Sequence, residues 1–139
     1  MTLEVLKNVE EIGGFKVLDM EKVRQERPEL FREDGSMHYQ IFEKEYRPNY
    51  FIQVRQKSTG VESISFTMQK DGAVKEVGVT GAQVDTIIEA AKVILEGLNE
   101  QYPCRENACA ITKLDEALLW LMKRKQERIK RGVEGFNKL

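Results

Sequence analysis

The chain's candidate chemistry gathers where arginine stands in unusual company. Arg105-Glu106-Asn107 follows Pro103 at the start of a long apolar-periodic run. The first turn of a helix exposes free N–H groups and the positive end of the dipole, which favours an acid there and not an arginine. A planar guanidinium at that place suits a phosphate or a base edge. An ion pair with an Asp or Glu elsewhere in the chain explains it equally well. Gly78-Val79-Thr80-Gly81-Ala82-Gln83 is a glycine-containing turn opening the preceding helix, a second place where backbone N–H groups favour an anion. Plain capping accounts for this turn too, with Thr80 and Gln83 as a capping box and Thr80 as the N-cap.

Catalytic chemistry has no comparable foothold. The single histidine, His38, sits in a polar loop and reads as an exposed loop residue. There is no nucleophile elbow, no paired-histidine metal motif and no complete phosphate-binding loop. Asp115 and Glu116 point to different faces of one turn rather than into a shared cleft. The expectation is a protein that is not an enzyme and needs no metal and no cofactor. Cys104 and Cys109, with no second pair, read as free thiols, buried or partly so. Lys123-Arg124-Lys125, Arg128, Lys130 and Arg131 suit a helix C-terminus, are interleaved with Glu127, and read as a solvated face rather than a groove binder. Phe51, Phe66 and Arg55 could make a stacking platform on a sheet, with core packing the competing role for the two phenylalanines.

The elements that must position these residues follow from periodicity. Val84, Ile87, Ile88, Ala91, Ile94, Leu95 and Leu98 mark one helical face, and Ala110, Ile111, Leu114, Ala117, Leu118 and Leu121 another. The short connection between them predicts an antiparallel helical hairpin over 81–131. Leu119 and Trp120 lie off the main stripe, so this helix carries more apolar surface than a monomer covers, unless the sheet covers it. Upstream, residues 2–12 fit either a short helix or an edge strand. Phe15–Leu18 reads as a strand, Asp19 as the N-cap of a helix over Met20–Glu26, and Pro28 as its stop. Strands are predicted from Tyr39 through Phe42 toward Tyr46, over Tyr50–Gln56 and Ser63–Lys70, and, after a hairpin turn at Asp71-Gly72, over Ala73–Val79. Arg47-Pro48-Asn49 and Ser58-Thr59-Gly60 are the intervening turns. The result is an α+β chain, an antiparallel meander followed by the hairpin, in one domain of 139 residues: 1–80 strand-rich, 81–131 helical, 132–139 a loose tail.

Composition narrows the partners. Apolar residues make up 41% and charged residues 32%, and the net charge is −1, so nothing global draws the chain to nucleic acid. No run reaches membrane-spanning length, and the N-terminus lacks a signal peptide's pattern, so a cytoplasmic setting is expected.

The segment CRENACAITKLDEALLWLMKR, followed by RGVEG, resembles the C-terminal part of small bacteriophage proteins that soak up immune signals, the Thoeris anti-defence sponges and the related anti-CBASS cyclic-nucleotide sponges. GVTGAQVDTIIEAAKVILEGLNEQYP extends the likeness upstream, and ELFREDGSMHYQIFEKE resembles the longer Thoeris type. The resemblance implies a non-catalytic binder of glyco-cyclic ADP-ribose, made by TIR-domain proteins, acting in the cytoplasm of the infected bacterium. It further implies homo-oligomers built from dimers and often hexameric, some holding cyclic oligonucleotides at separate sites. The ligand-binding candidates are then Arg105, Asn107 and Thr112 in the matching motif, Thr80 and Gly81 at the glycine turn, and Phe66 as an aromatic. Arg27 and Arg55 are placed by their surroundings, ERPELF and FIQVR. The rival readings are a nucleic-acid-binding phage protein, a structural oligomer, and an enzyme that degrades the same signal.

Overall fold

The computed structural model describes residues 3–6, 8–46, 50–55 and 63–132. The ambiguous N-terminus is both things at once, a single 3-10 turn at Leu3–Leu6 and then strand β1 at Glu11–Ile12. β1 turns back through Gly13-Gly14 into β2, Phe15–Asp19. The Asp19 carboxylate accepts from the N–H groups of Glu21 at 3.0 Å and Lys22 at 3.4 Å, and so opens α1, Met20–Glu26, as expected of an N-cap. Arg27 leaves helical geometry at φ −131°, and Pro28 begins a 3-10 turn, Pro28–Leu30.

From there the structure corrects the meander. Tyr39–Tyr46, read as strand, is helix α2. The aromatic residues favour a strand by type, but as a helix they stand one turn apart and meet, with the Phe42 and Tyr46 rings 4.8 Å apart between centroids. With two helices now lying between β2 and β3 (Tyr50–Arg55), the connection is a crossover, and the β2–β3 pairing is parallel. β4, Ser63–Phe66, then pairs antiparallel with β3, giving the order β1-β2-β3-β4. The predicted strand at 73–79 is a loop carrying one short helix, α3, at Val74–Val77, and Asp71-Gly72 opens that loop instead of a hairpin. An isolated parallel bridge joins Met68 and Ala82 at the two ends of this stretch. The α+β class itself holds: a four-stranded sheet with short helices, then the helical hairpin.

The hairpin consists of α4, Val84–Gln101, and α5, Arg105–Lys130. Two apolar clusters flank the sheet. On one side Ile52 and Val54 pack with Leu6, Ile12, Ala82 and Ala90, and with Ile87, Val93 and Ile94 of α4. On the other, Leu18, Met20, Val23, Leu30 and Phe42 join beneath α1 and α2. Helix α5 takes no part in either cluster and lies against α4, where Lys92 reaches Asp115 at 2.6 Å. Thr80 is not the N-cap of α4. Gln83 holds that position without a side-chain cap bond, because the Thr80 N–H is taken up by Gln69. No helix among the described residues is long and apolar enough to cross a membrane. The turns expected at Arg47-Pro48-Asn49 and Ser58-Thr59-Gly60, and the tail beyond Gly132, lie outside the described residues.

Two interactions here invite direct tests. Gly97 sits inside α4 where helix propensity disfavours it, yet a Cβ there would fall 2.9 Å from the Cβ of Val5. Gly97→Ala should therefore lower the melting temperature despite its helical preference. Val5→Ala should cost less in the Gly97→Ala background than alone, a coupling measurable in a double-mutant cycle. Arg27, for its part, binds Glu29 at 2.5 Å and Glu45 at 2.8 Å, tying the end of α1 to α2. The side-chain bond from Arg27 holds both carboxylates below their usual 4.5. Lowered carboxylate values stabilise the fold fully above 4.5, and the benefit fades as pH falls through them. Arg27→Ala should be less stable than wild type at neutral pH, and urea melts of the two proteins should converge toward about pH 3.

Candidate functional site

The predicted site residues fall into separate places. Arg105, Asn107 and Thr112 stand at the closed end of the hairpin. Cys104 caps α5 with its sulfur, which accepts the Asn107 N–H at 3.4 Å, and its own N–H donates to Asn99 Oδ1. Thr112 donates its hydroxyl to the Ala108 carbonyl one turn earlier. Arg105 is exposed and, among the described residues, makes no ion pair, so the internal partner that would account for it is not there. Both cysteines are exposed rather than buried, because this end of α5 extends beyond the sheet-facing core.

Thr80 and Gly81 stand at the opposite, open end. Arg27 lies under α1 and α2 with its guanidinium committed to Glu29 and Glu45. The backbone of Arg55 is in β3, and its side chain is outside the described set, as is that of Phe51. Phe66 pairs with Ile52 on the core face of the sheet but remains 39% exposed at its edge. Arg105 and Arg124 are separated along α5 by roughly 28 Å, at about 1.5 Å rise per residue. One copy of this chain therefore cannot bring Arg105 and the Thr80–Gly81 turn onto a single small ligand.

The open end holds a cavity. A cleft of about 610 Å³ lies between the start of α4, the 69–74 stretch and the C-terminal third of α5. Gly72, Ala73 and Val74 form one wall. Leu118, Leu121 and Met122 form the other, and Arg124, Lys125 and Arg128 bring positive charge to it. The N-terminal turn of α4, at Gln83 and Val84, closes the end with its backbone N–H groups directed outward. Asp85 is the lining's one acid. Cations along one wall, a helix N-terminus at the end and thioether and aliphatic surface between them suit an anionic ligand with an apolar or planar part.

The solvated-face reading missed this cleft, and Arg128 shows why. It is only 6% exposed. Leu114, Leu121 and Arg128 recur at heptad spacing, and Arg124 and Lys125 sit at i+3 and i+4 from Leu121, so the basic residues continue the apolar stripe. That substitution of cations for apolar residues on the inner face was readable from the sequence. Gln69, which lines the same cleft, carried no sequence signal of its own.

Residues 64–126 match the family model of the Acb2/Tad1 hairpin domain. A relative from Bacillus phage SBSphiJ7, Thoeris anti-defense 1, is 49% identical over 65 residues, which is 46% of this chain and 46% of that protein. The likeness thus spans less than half of the relative's own length. The matched stretch includes β4 from Ile64, the 69–80 loop, α4 and most of α5, and therefore both Arg105 and every cleft residue except Arg128. Over residues 64–126 the chain is thus similar to the Acb2/Tad1 hairpin domain.

Proposed function

We propose that this protein is a non-catalytic phage sponge that binds a cyclic ADP-ribose isomer, glyco-cyclic ADP-ribose made by TIR-domain immune proteins, and holds it away from its effector in the cytoplasm of the infected host. It thereby blocks Thoeris-type signalling. The observation that carries this reading is the cleft with a basic wall, lying almost wholly inside the stretch that matches the Acb2/Tad1 hairpin domain, in a chain similar over 65 residues to a protein named for Thoeris anti-defence. A pyrophosphate would face Arg124, Lys125 and Arg128. An adenine would lie against Met68, Leu121 or Met122. Arg105 serves the same ligand only if a second copy presents it, or else serves another ligand, such as a cyclic oligonucleotide, at its own end of the hairpin.

Assembly is part of the proposal. Leu119 is 60% and Trp120 61% exposed, with Met122 and Ile129 also open on the same helix, so α5 carries apolar surface that nothing among the described residues covers. Among the described residues the sheet does not reach it, which supports a covering by a second copy. A homo-oligomer built from dimers would bury this surface and could exclude water from the ligand.

Incubation with the signal followed by denaturation tests the core of the reading. Recovery of intact ligand from the denatured protein is the expected outcome. Altered products would make the protein an enzyme, and absence of binding would leave the nucleic-acid or structural readings. In titration calorimetry, Arg124→Ala should weaken binding. Loss of one charge-assisted hydrogen bond of roughly 1.5–3 kcal/mol corresponds to a fall of about tenfold to a hundredfold. Arg124→Lys should restore only part of it, since an ammonium lacks the planar fork. Arg105→Ala should show the same loss with an unchanged melting temperature if a second copy completes the site, and no loss if Arg105 serves a separate ligand. Light scattering at micromolar concentration should give a dimer or larger species, dissociated by Trp120→Ala or Leu119→Asp. A wild-type monomer would overturn the assembly.

A further inference from the structure

The wall of the cleft opposite α5 is built from a loop with little core of its own. The chain leaves the sheet region at Gln69 and returns at Ala82. The two strands of this neck are joined where Ala82 N–H donates to the Thr67 carbonyl at 2.6 Å and Gln69 N–H donates to the Ala82 carbonyl at 2.9 Å. The neck is tight enough that a Cβ on Gly81 would stand 2.4 Å from the Met68 carbonyl carbon. Between these ends, residues 70–80 contribute nothing to either apolar cluster. Val77 and Val79 are each a little under half exposed.

The Gln69 side chain spans this loop. Gln69 Nε2 donates to the Gly72 carbonyl at 2.8 Å and to the Gly78 carbonyl at 3.0 Å. Gln69 Oε1 accepts the Thr80 N–H at 2.8 Å. The amide thus uses both of its donors and its acceptor on backbone groups at the start, the far side and the end of the loop. No other side-chain type does this at that place. A glutamate keeps the bond from Thr80 but turns a carboxylate toward two carbonyls, and a methionine fills the space with no bond at all. Because Gly72, Ala73 and Val74 face Arg124, Lys125 and Arg128 across the cleft, the position of this loop sets its width.

We infer that Gln69 is a positioning residue of the cleft, whose amide locks the 70–80 loop as the wall that holds a phosphate-bearing ligand against the basic end of α5. The ligand part of this inference rests on the function proposed above, whereas the lock itself does not. In Gln69→Met, amide hydrogen exchange over 70–80 of the full chain should quicken at least about tenfold, while α4 and α5 keep their wild-type protection and the melting temperature changes little. Affinity for glyco-cyclic ADP-ribose should fall about tenfold or more by calorimetry. Saturating ligand should return slow exchange to 70–80 in the variant, an effect that a bond serving the fold alone would not produce. Should Gln69→Met unfold, Gln69→Glu gives the same readouts, with the Thr80 bond kept. Unchanged exchange over 70–80 overturns the lock, and a loosened loop with unchanged affinity overturns its role in the cleft. If the wild type binds no ligand, the functional reading falls, and exchange alone still decides whether Gln69 locks the loop.

Discussion

Everything in this molecule hangs on one helix having two neighbours. α4 must bury one face against the sheet and offer another to α5, because no described residue of α5 belongs to either sheet cluster. The close approaches are made by small residues. Ala90 is buried in the cluster below, Gly97 admits Val5 of the N-terminal turn, and Thr86 packs against the Gly13 turn between β1 and β2. On the other side the helices are joined by packing and by Lys92 to Asp115, a bond that raises the lysine's pKa. A helix so committed fixes where its own N-terminus points, and with it the end of the cleft.

The same constraint decides how much of the fold was legible. Long elements with a strong period were read correctly, because eighteen and twenty-six residues of helix leave a repeated trace. The Asp19 cap and the Pro28 stop were read correctly too, since each acts through local backbone geometry alone. The short elements failed where local preference and tertiary demand disagree. Tyr39, Phe42 and Tyr46 favour strand by type, but only a helix lets Phe42 enter the cluster with Leu18 and Leu30 while Glu43, Lys44 and Glu45 stay outside it. Thr80 and Gln83 look like a capping box, but the Thr80 N–H is held by Gln69, eleven residues away in sequence, which no local pattern encodes. One misread strand then reversed a pairing, since a helical crossover between β2 and β3 forces them parallel.

The candidate site was only partly legible for a related reason. Arg105 announced itself by standing in the wrong part of a helix, and it is exposed there with no ion-pair partner among the described residues. The basic end of α5 was discounted because cations at a helix C-terminus are ordinary. What distinguishes Arg124, Lys125 and Arg128 is their facing, not their number, and facing becomes clear only when the apolar stripe is followed past Leu121. The exposed lysines and arginines around them do fit a solvated surface.

Burial of Arg128 bears on how a nearly neutral chain can hold an anion. A net charge of −1 supplies no long-range attraction, so affinity must come from contacts made at the site. An exposed arginine must shed much of its water and much of its rotamer freedom when a phosphate arrives. Arg128 is already 6% exposed in the free chain, so folding has met much of its rotamer cost before any ligand comes. Arg124 and Lys125, exposed beside it, supply charge at the mouth but retain those costs. A cleft with one buried arginine beside two exposed cations has a fixed base and an adaptable rim. In the proposed assembly, covering that rim with a second copy's α5 would dry the remaining two cations as well and would tie affinity to oligomerisation.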